Sequence, residues 1–112
     1  VLSLQPGFTQ ALRQIAVVHS LQGNYAQAVS SLEKVVELTP DDPDAYYNLA
    51  CMHSRAGNAD EAVSWLKRAV EKGFDDWELM GKDPDLNNVR GTEDFKKIKE
   101  KYLERIFSFF QQ

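Results

Sequence analysis

The sequence predicts an all-α fold, a solenoid of helical hairpins closed by a C-terminal capping helix. Three observations predict it. First, the 112-residue chain superimposes on itself at an offset of 34 residues without a gap, Thr9 to Pro40 falling on Pro43 to Phe74. Second, apolar and small residues recur in each copy at helical spacing. Third, each copy is split in the middle by Gly-Asn and followed by a segment that breaks helices. A fixed period of this length marks stacked supersecondary units, none of which can bury its apolar face alone.

The equivalences are specific. Ala11 falls on Ala45, Ile15 on Leu49, Ala16 on Ala50, His19 on His53, Gly23-Asn24 on Gly57-Asn58, Ala28 on Ala62 and Leu32 on Leu66. Residues 9–42 and 43–76 are therefore read as two units, and residues 77–112 as a terminating segment with a capping helix. Val1-Leu2-Ser3-Leu4-Gln5-Pro6 precedes Val35-Val36-Glu37-Leu38-Thr39-Pro40 by the same 34 residues, so residues 1–8 read as the end of a truncated upstream unit.

In chain order, a first helix is expected from Thr9, which can cap it, to Leu21, with Leu12, Ile15, Ala16 and His19 facing the core. Gly23 supplies the left-handed turn that a side chain would penalise. A second helix runs from about Tyr25 to Leu38 and stops before Pro40-Asp41-Asp42-Pro43. The next unit repeats this plan, Asp44 to Ala56 and Ala59 to Lys72 flanking Gly57-Asn58. Turns this short force the paired helices antiparallel. Ala16 with Ala28, and Ala50 with Ala62, are the small residues that let the paired axes approach. Trp77 to Arg90 is broken by Gly81 and Pro84 and reads as a cap, with Phe74, Trp77, Leu79, Leu86 and Val89 over the apolar face of the second unit. Thr92-Glu93-Asp94 opens a last helix that reaches about Phe110. Phe95, Ile98, Tyr102, Leu103, Ile106 and Phe110 form a face expected to dock on the array, with an apolar surplus at Phe107 and Phe109.

These residues resemble the tetratricopeptide repeat family. Its pattern of a 34-residue helix-turn-helix is matched by Tyr46, Leu49-Ala50, Gly57, Ala62, Leu66 and Ala69, and by Ile15-Ala16, Gly23, Tyr25, Ala28, Leu32 and Pro40. Leu12 stands for the aromatic, His19 and His53 for the Tyr, and Phe74 for the closing Pro. Gly73-Phe74, Trp77, Asp83-Pro84-Asp85-Leu86, Val89-Arg90, Phe95 and Ile98 are similar to the segment that terminates many such arrays. The resemblance implies a right-handed superhelix, no catalysis, and a concave groove for a peptide or protein partner.

The residues themselves agree on the absence of catalysis. No nucleophile elbow, glycine-rich phosphate loop or Cys/His cluster with ligand spacing occurs, so neither a cofactor nor a metal is expected. His19 and His53 are two ligands at most, in packing positions, and Cys51 has no evident base. Asp41-Asp42, Asp75-Asp76 and Asp83/Asp85 read as caps and turns, and Lys96, Lys97, Lys99, Lys101 and Arg105, interleaved with Glu100 and Glu104, as a solvated face. The net charge of -4 points away from nucleic acid, and no apolar run approaches the roughly 18 residues of a membrane span. With one cysteine the chain has no internal disulfide, and targeting is not legible.

The candidate site is the inner wall made by the first helices. Gln10, Arg13, Gln14, Val17, Ser20 and Leu21 in one unit, and Asp44, Tyr47, Asn48, Cys51, Ser54 and Arg55 in the next, are not required for packing and are expected to face the groove. The family's carboxylate clamp for chaperone C-terminal tails would fall on Arg13, Val17, Asn48, Glu78 and Lys82. Val17 cannot hydrogen-bond and Glu78 would repel a carboxylate, so a chaperone tail is not the expected partner. The alternative function is a structural spacer that self-assembles through Ile106, Phe107, Phe109 and Phe110.

Overall fold

The computed structural model describes residues 6–111. Those residues form α1 (Pro6–Leu21), α2 (Tyr25–Leu38), α3 (Pro43–Arg55), α4 (Ala59–Glu71), the short α5 (Trp77–Lys82), a single 3-10 turn (Pro84–Leu86) and α6 (Glu93–Phe110). No strand occurs among them. Residues 1–5, read from sequence as part of an upstream unit, lie outside the described residues. α1 begins at Pro6, so Thr9 sits inside the helix and does not cap it. Proline at a first helical position has its φ already set and loses no bond through its missing N–H.

α1, α3 and α4 end by one device. Gly23, Gly57 and Gly73 all adopt positive φ, at 78°, 87° and 111°. At each the next residue's N–H reaches back five residues: Asn24 to the His19 carbonyl (2.8 Å), Asn58 to His53 (2.9 Å) and Phe74 to Ala69 (2.9 Å). This closure satisfies carbonyls that the helix end leaves open.

The hairpins α1/α2 and α3/α4 stack through α2 on α3. Ala16, Ala28, Leu32 and Val35 are buried in the first hairpin, and Ala45, Leu49, Ala50, Ala62, Leu66 and Ala69 in the second. Because Ala62 has no exposed surface, Ala62→Leu must displace neighbouring atoms; it is expected to cost about 1–3 kcal/mol. A thermal melt superimposable on that of the wild type would contradict this packing.

The segment after the second hairpin, expected from the sequence to be a terminating segment, lies against that hairpin. Asp76 caps α5 by accepting from the Leu79 N–H (3.0 Å), Asp83 caps the 3-10 turn by accepting from the Asp85 N–H (2.9 Å), and Thr92 caps α6 by accepting from the Phe95 N–H (3.2 Å). Phe74, Met80, Leu86, Val89, Phe95 and Ile98 are buried beneath them. Arg90 ties the segment together, donating to the Met80 and Asp83 carbonyls and to Asn87 Oδ1. Trp77 lies against Tyr102, with ring centroids 4.6 Å apart.

Three expectations about packing need correction. Ile15 was placed in the core, but it is 45% exposed where the equivalent Leu49 is 0% exposed. α3 has α2 beside it, whereas nothing among the described residues lies on the corresponding side of α1. Leu79 faces outward and Met80 takes the buried place, because the Asp76 cap sets the start of so short a helix. The outer half of α6 does not dock: Leu103, Phe107, Phe109 and Phe110 are exposed, and burial on this helix is confined to Phe95 and Ile98 with Tyr102 packed beside them.

Candidate partner-binding groove

The inner faces of α1 and α3 meet in a cleft of about 300 Å³. Arg13, Val17, Ser20 and Leu21 form the α1 wall; Tyr47, Asn48 and Cys51 form the α3 wall. The rim is completed by Asp83 and Asp85, for which the sequence predicts capping alone.

Those two aspartates decide which side chains remain available. One oxygen of Asp83 caps the 3-10 turn while the other accepts from the Tyr47 hydroxyl at 2.6 Å, with the Cys51 thiol 3.9 Å from the same oxygen. Tyr47 is also stacked on Phe74, ring centroids 4.2 Å apart and planes within 5°. That contact accounts for an aromatic residue where the repeat pattern would place proline. Asp85 accepts from Arg55 Nη1 at 2.7 Å, and Arg55 Nη2 donates to the Tyr25 hydroxyl at 2.9 Å. Asn88 Nδ2 donates to the Ser54 carbonyl at 2.8 Å. The terminating segment is thus fastened along α3 by side chains from three successive turns of that helix.

Tyr47 and Cys51 were expected to face the groove freely and do not: they are 5% and 3% exposed. The returning segment lies over them, which a helical wheel of α3 could not show. Burial first, and then the neighbouring Asp83 carboxylate, push the Cys51 thiol well above its ordinary range, so at neutral pH it is protonated and a poor nucleophile. Burial and the hydrogen bond to Asp83 likewise raise the Tyr47 hydroxyl. Ligand atoms of Cys51, Asp83 and Asp85 lie within 4.8 Å of one another. Each is already engaged, the thiol and Tyr47 with Asp83 and Arg55 with Asp85, and the arrangement reads as a hydrogen-bonded clasp.

Arg13 is engaged as well. Its guanidinium pairs with Asp42, whose other oxygen caps α3 by accepting from the Asp44 N–H at 3.0 Å. Asp42 therefore repeats in the first hairpin the double use that Asp83 shows in the terminating segment. What the inner wall leaves open is only part of the expected set. Val17 and Leu21 are 54% and 83% exposed, Gln10, Gln14 and Asp44 are exposed, and Asn48 is half-buried on the cleft wall. The open part of the cleft is an apolar strip with the Asn48 amide on the facing wall and Asp83 and Asp85 at the rim, while Gln10, Gln14 and Asp44 are exposed outside its lining.

Stacked helical hairpins with a concave cleft and no assembled catalytic constellation among the described residues define a repeat scaffold. Residues 20–81 match the family model described as Tetratricopeptide repeat. That is more than half of the chain, and the protein belongs to the tetratricopeptide repeat family. Members of this family generally act as non-catalytic modules of protein–protein interaction. No curated protein and no solved structure matches the chain. No helix among the described residues is long and apolar enough to cross a membrane.

Proposed function

We propose that the α1/α3 groove binds a segment of a protein partner, seating an apolar side chain on Val17 and Leu21 while Gln14 and Asn48 hydrogen-bond its backbone. The observation that carries this reading is the juxtaposition in one cleft of two exposed apolar side chains with an amide, Asn48, whose side chain makes no hydrogen bond to the other described residues. The opposite wall is already ordered by the Tyr47–Asp83 and Arg55–Asp85 contacts, so binding would cost little side-chain entropy there. Asp83 and Asp85 at the rim disfavour an acidic segment, which argues for a neutral or basic partner and against a chaperone C-terminal tail.

A displayed library of peptides selected on the whole chain, with binders then measured against Val17→Asp combined with Asn48→Ala, tests the reading. Both side chains lie outside the hydrophobic core, so the melting temperature should hold. Affinity is expected to fall at least about tenfold, equivalent to about 1.4 kcal/mol. Selected peptides that bind the double variant as well as the wild type would overturn it.

A further inference from the structure

The sequence predicts a solvated face for Lys97, Lys101 and Arg105, but the structure sets that face along α4. α4 and α6 border a groove of about 510 Å³ that shares no lining residue with the α1/α3 cleft. Its floor is apolar: Val63 of α4 and Tyr102 of α6 are half-buried there, beside the buried Val70 and Ile98.

The charges are sorted between the two walls. On the α6 wall Lys97, Lys101 and Arg105 stand four residues apart, all exposed, in a row about 12 Å long at about 1.5 Å per residue. Like charges at this spacing on a helix repel one another, so the row is unfavourable in the free protein. No carboxylate among the described residues lies within ion-pair distance of these three side chains or of Lys67 on the α4 wall. Glu100 and Glu104, three residues beyond Lys97 and Lys101, line a different cleft of α6. The carboxylates of the groove itself sit at helix ends. Asp60 and Asp94 are in the first turns of α4 and α6, where the helix dipole favours them, and Glu71 is the last residue of α4. The α6 wall beyond its first turn is therefore cationic, whereas the α4 wall is mixed.

We infer that this groove docks an amphipathic helix of a protein partner, with its apolar stripe on Val63 and Tyr102 and with Asp or Glu side chains, recurring four residues apart, against Lys97, Lys101 and Arg105. Carboxylates at i, i+4 and i+8 of a second helix have the same rise as the row they meet. Their charge offsets the repulsion within α6, which a neutral or basic segment could not do. The contact uses none of the residues proposed to bind a partner in the α1/α3 cleft, and stands or falls separately from that reading.

A displayed library of amphipathic helical peptides, with acidic, basic and neutral residues varied on the polar stripe, tests the inference when selected on the whole chain and counter-selected on Lys97→Glu combined with Lys101→Glu. Both lysines are exposed, so the circular dichroism of the variant should match the wild type. The surviving peptides are expected to carry Asp or Glu at four-residue spacing and to bind the wild type at least about tenfold more tightly than the variant. Their affinity should fall as salt rises from about 0.1 M to about 1 M, which shortens the screening length from about 10 Å to about 3 Å. The same peptides with Lys in place of each acid should bind the variant in preference to the wild type, and Val17→Asp with Asn48→Ala should leave binding of the acidic peptides unchanged. A selection in which no peptide distinguishes wild type from variant overturns the proposal, as do discriminating peptides that lack the acidic spacing. A single-stranded oligonucleotide that binds the wild type more tightly than any selected peptide, and loses that binding in the lysine variant, would assign the row to nucleic acid and overturn it equally.

Discussion

Leu49→Ala is expected to destabilise the protein by about 2–5 kcal/mol, whereas Ile15→Ala, at the equivalent place in the preceding unit, should change stability by no more than about 0.5 kcal/mol. Leu49 is fully buried in α3, the helix in contact with α2, α4 and the 3-10 turn, and removing its branched carbons leaves a cavity that three elements would have to collapse to fill. Among the described residues no helix lies beside Ile15 where Leu49 has α2. Thermal unfolding at low concentration checks both, with a fall in Tm of about 10 °C or more for Leu49→Ala. Equal effects at the two positions would mean that α1 and α3 have the same surroundings, contrary to the structure.

Asp83→Ala is expected to release the terminating segment from α3. The substitution removes the cap of the 3-10 turn and leaves the Tyr47 hydroxyl without its partner. A lost cap costs about 1 kcal/mol and an orphaned buried donor about 1–3 kcal/mol, so the total should lie near 2–4 kcal/mol. Tyr47→Phe removes the hydroxyl and keeps the stack on Phe74, and should cost only about 1 kcal/mol. A second readout separates opening of the segment from general destabilisation. Cys51 is buried and its thiol is pushed up first by burial and next by Asp83, so in the wild type at neutral pH it should react slowly with an alkylating reagent. Losing Asp83 both uncovers the sulfur and lets its pKa fall toward the ordinary value, raising the thiolate fraction at a given pH. Alkylation should accelerate under conditions where the variant remains folded. An unchanged rate would show that the segment does not depend on this aspartate.

Much of the fold was legible because its determinants are local or periodic. Gly23 and Gly57 announce positive-φ turns, Ala28 and Ala62 mark close helix crossings, and the offset of 34 residues places them in register. Thr92 was recognisable as a cap. The groove was less legible. Periodicity identifies the inner face of α3, but not that a segment 30 to 36 residues later returns to cover Tyr47 and Cys51 and occupy Arg55. A capping aspartate has two oxygens; sequence reveals the job of one, while the partner of the other, Tyr47 for Asp83 and Arg13 for Asp42, is set by the tertiary structure. One signal was present: Phe74 in place of the closing proline, an aromatic residue whose ring stacks on Tyr47. The docking expected for all of α6 failed because apolar spacing alone does not distinguish a face that is covered from one that is spare.

In the proposed reading the segment after the second hairpin closes one side of the inner wall and leaves Gln14, Val17, Leu21 and Asn48 as the surface for a partner. Titrating the isotopically labelled chain with a selected peptide and following backbone amide resonances tests it most directly. Shifts should concentrate at those four residues and their neighbours in α1 and α3, while Ser30, Glu33 and Glu37 of α2 and Ser64 and Glu71 of α4, all exposed, stay unmoved. A peptide that instead shifts those α2 and α4 residues, with Val17 and Asn48 unaffected, would contradict the account.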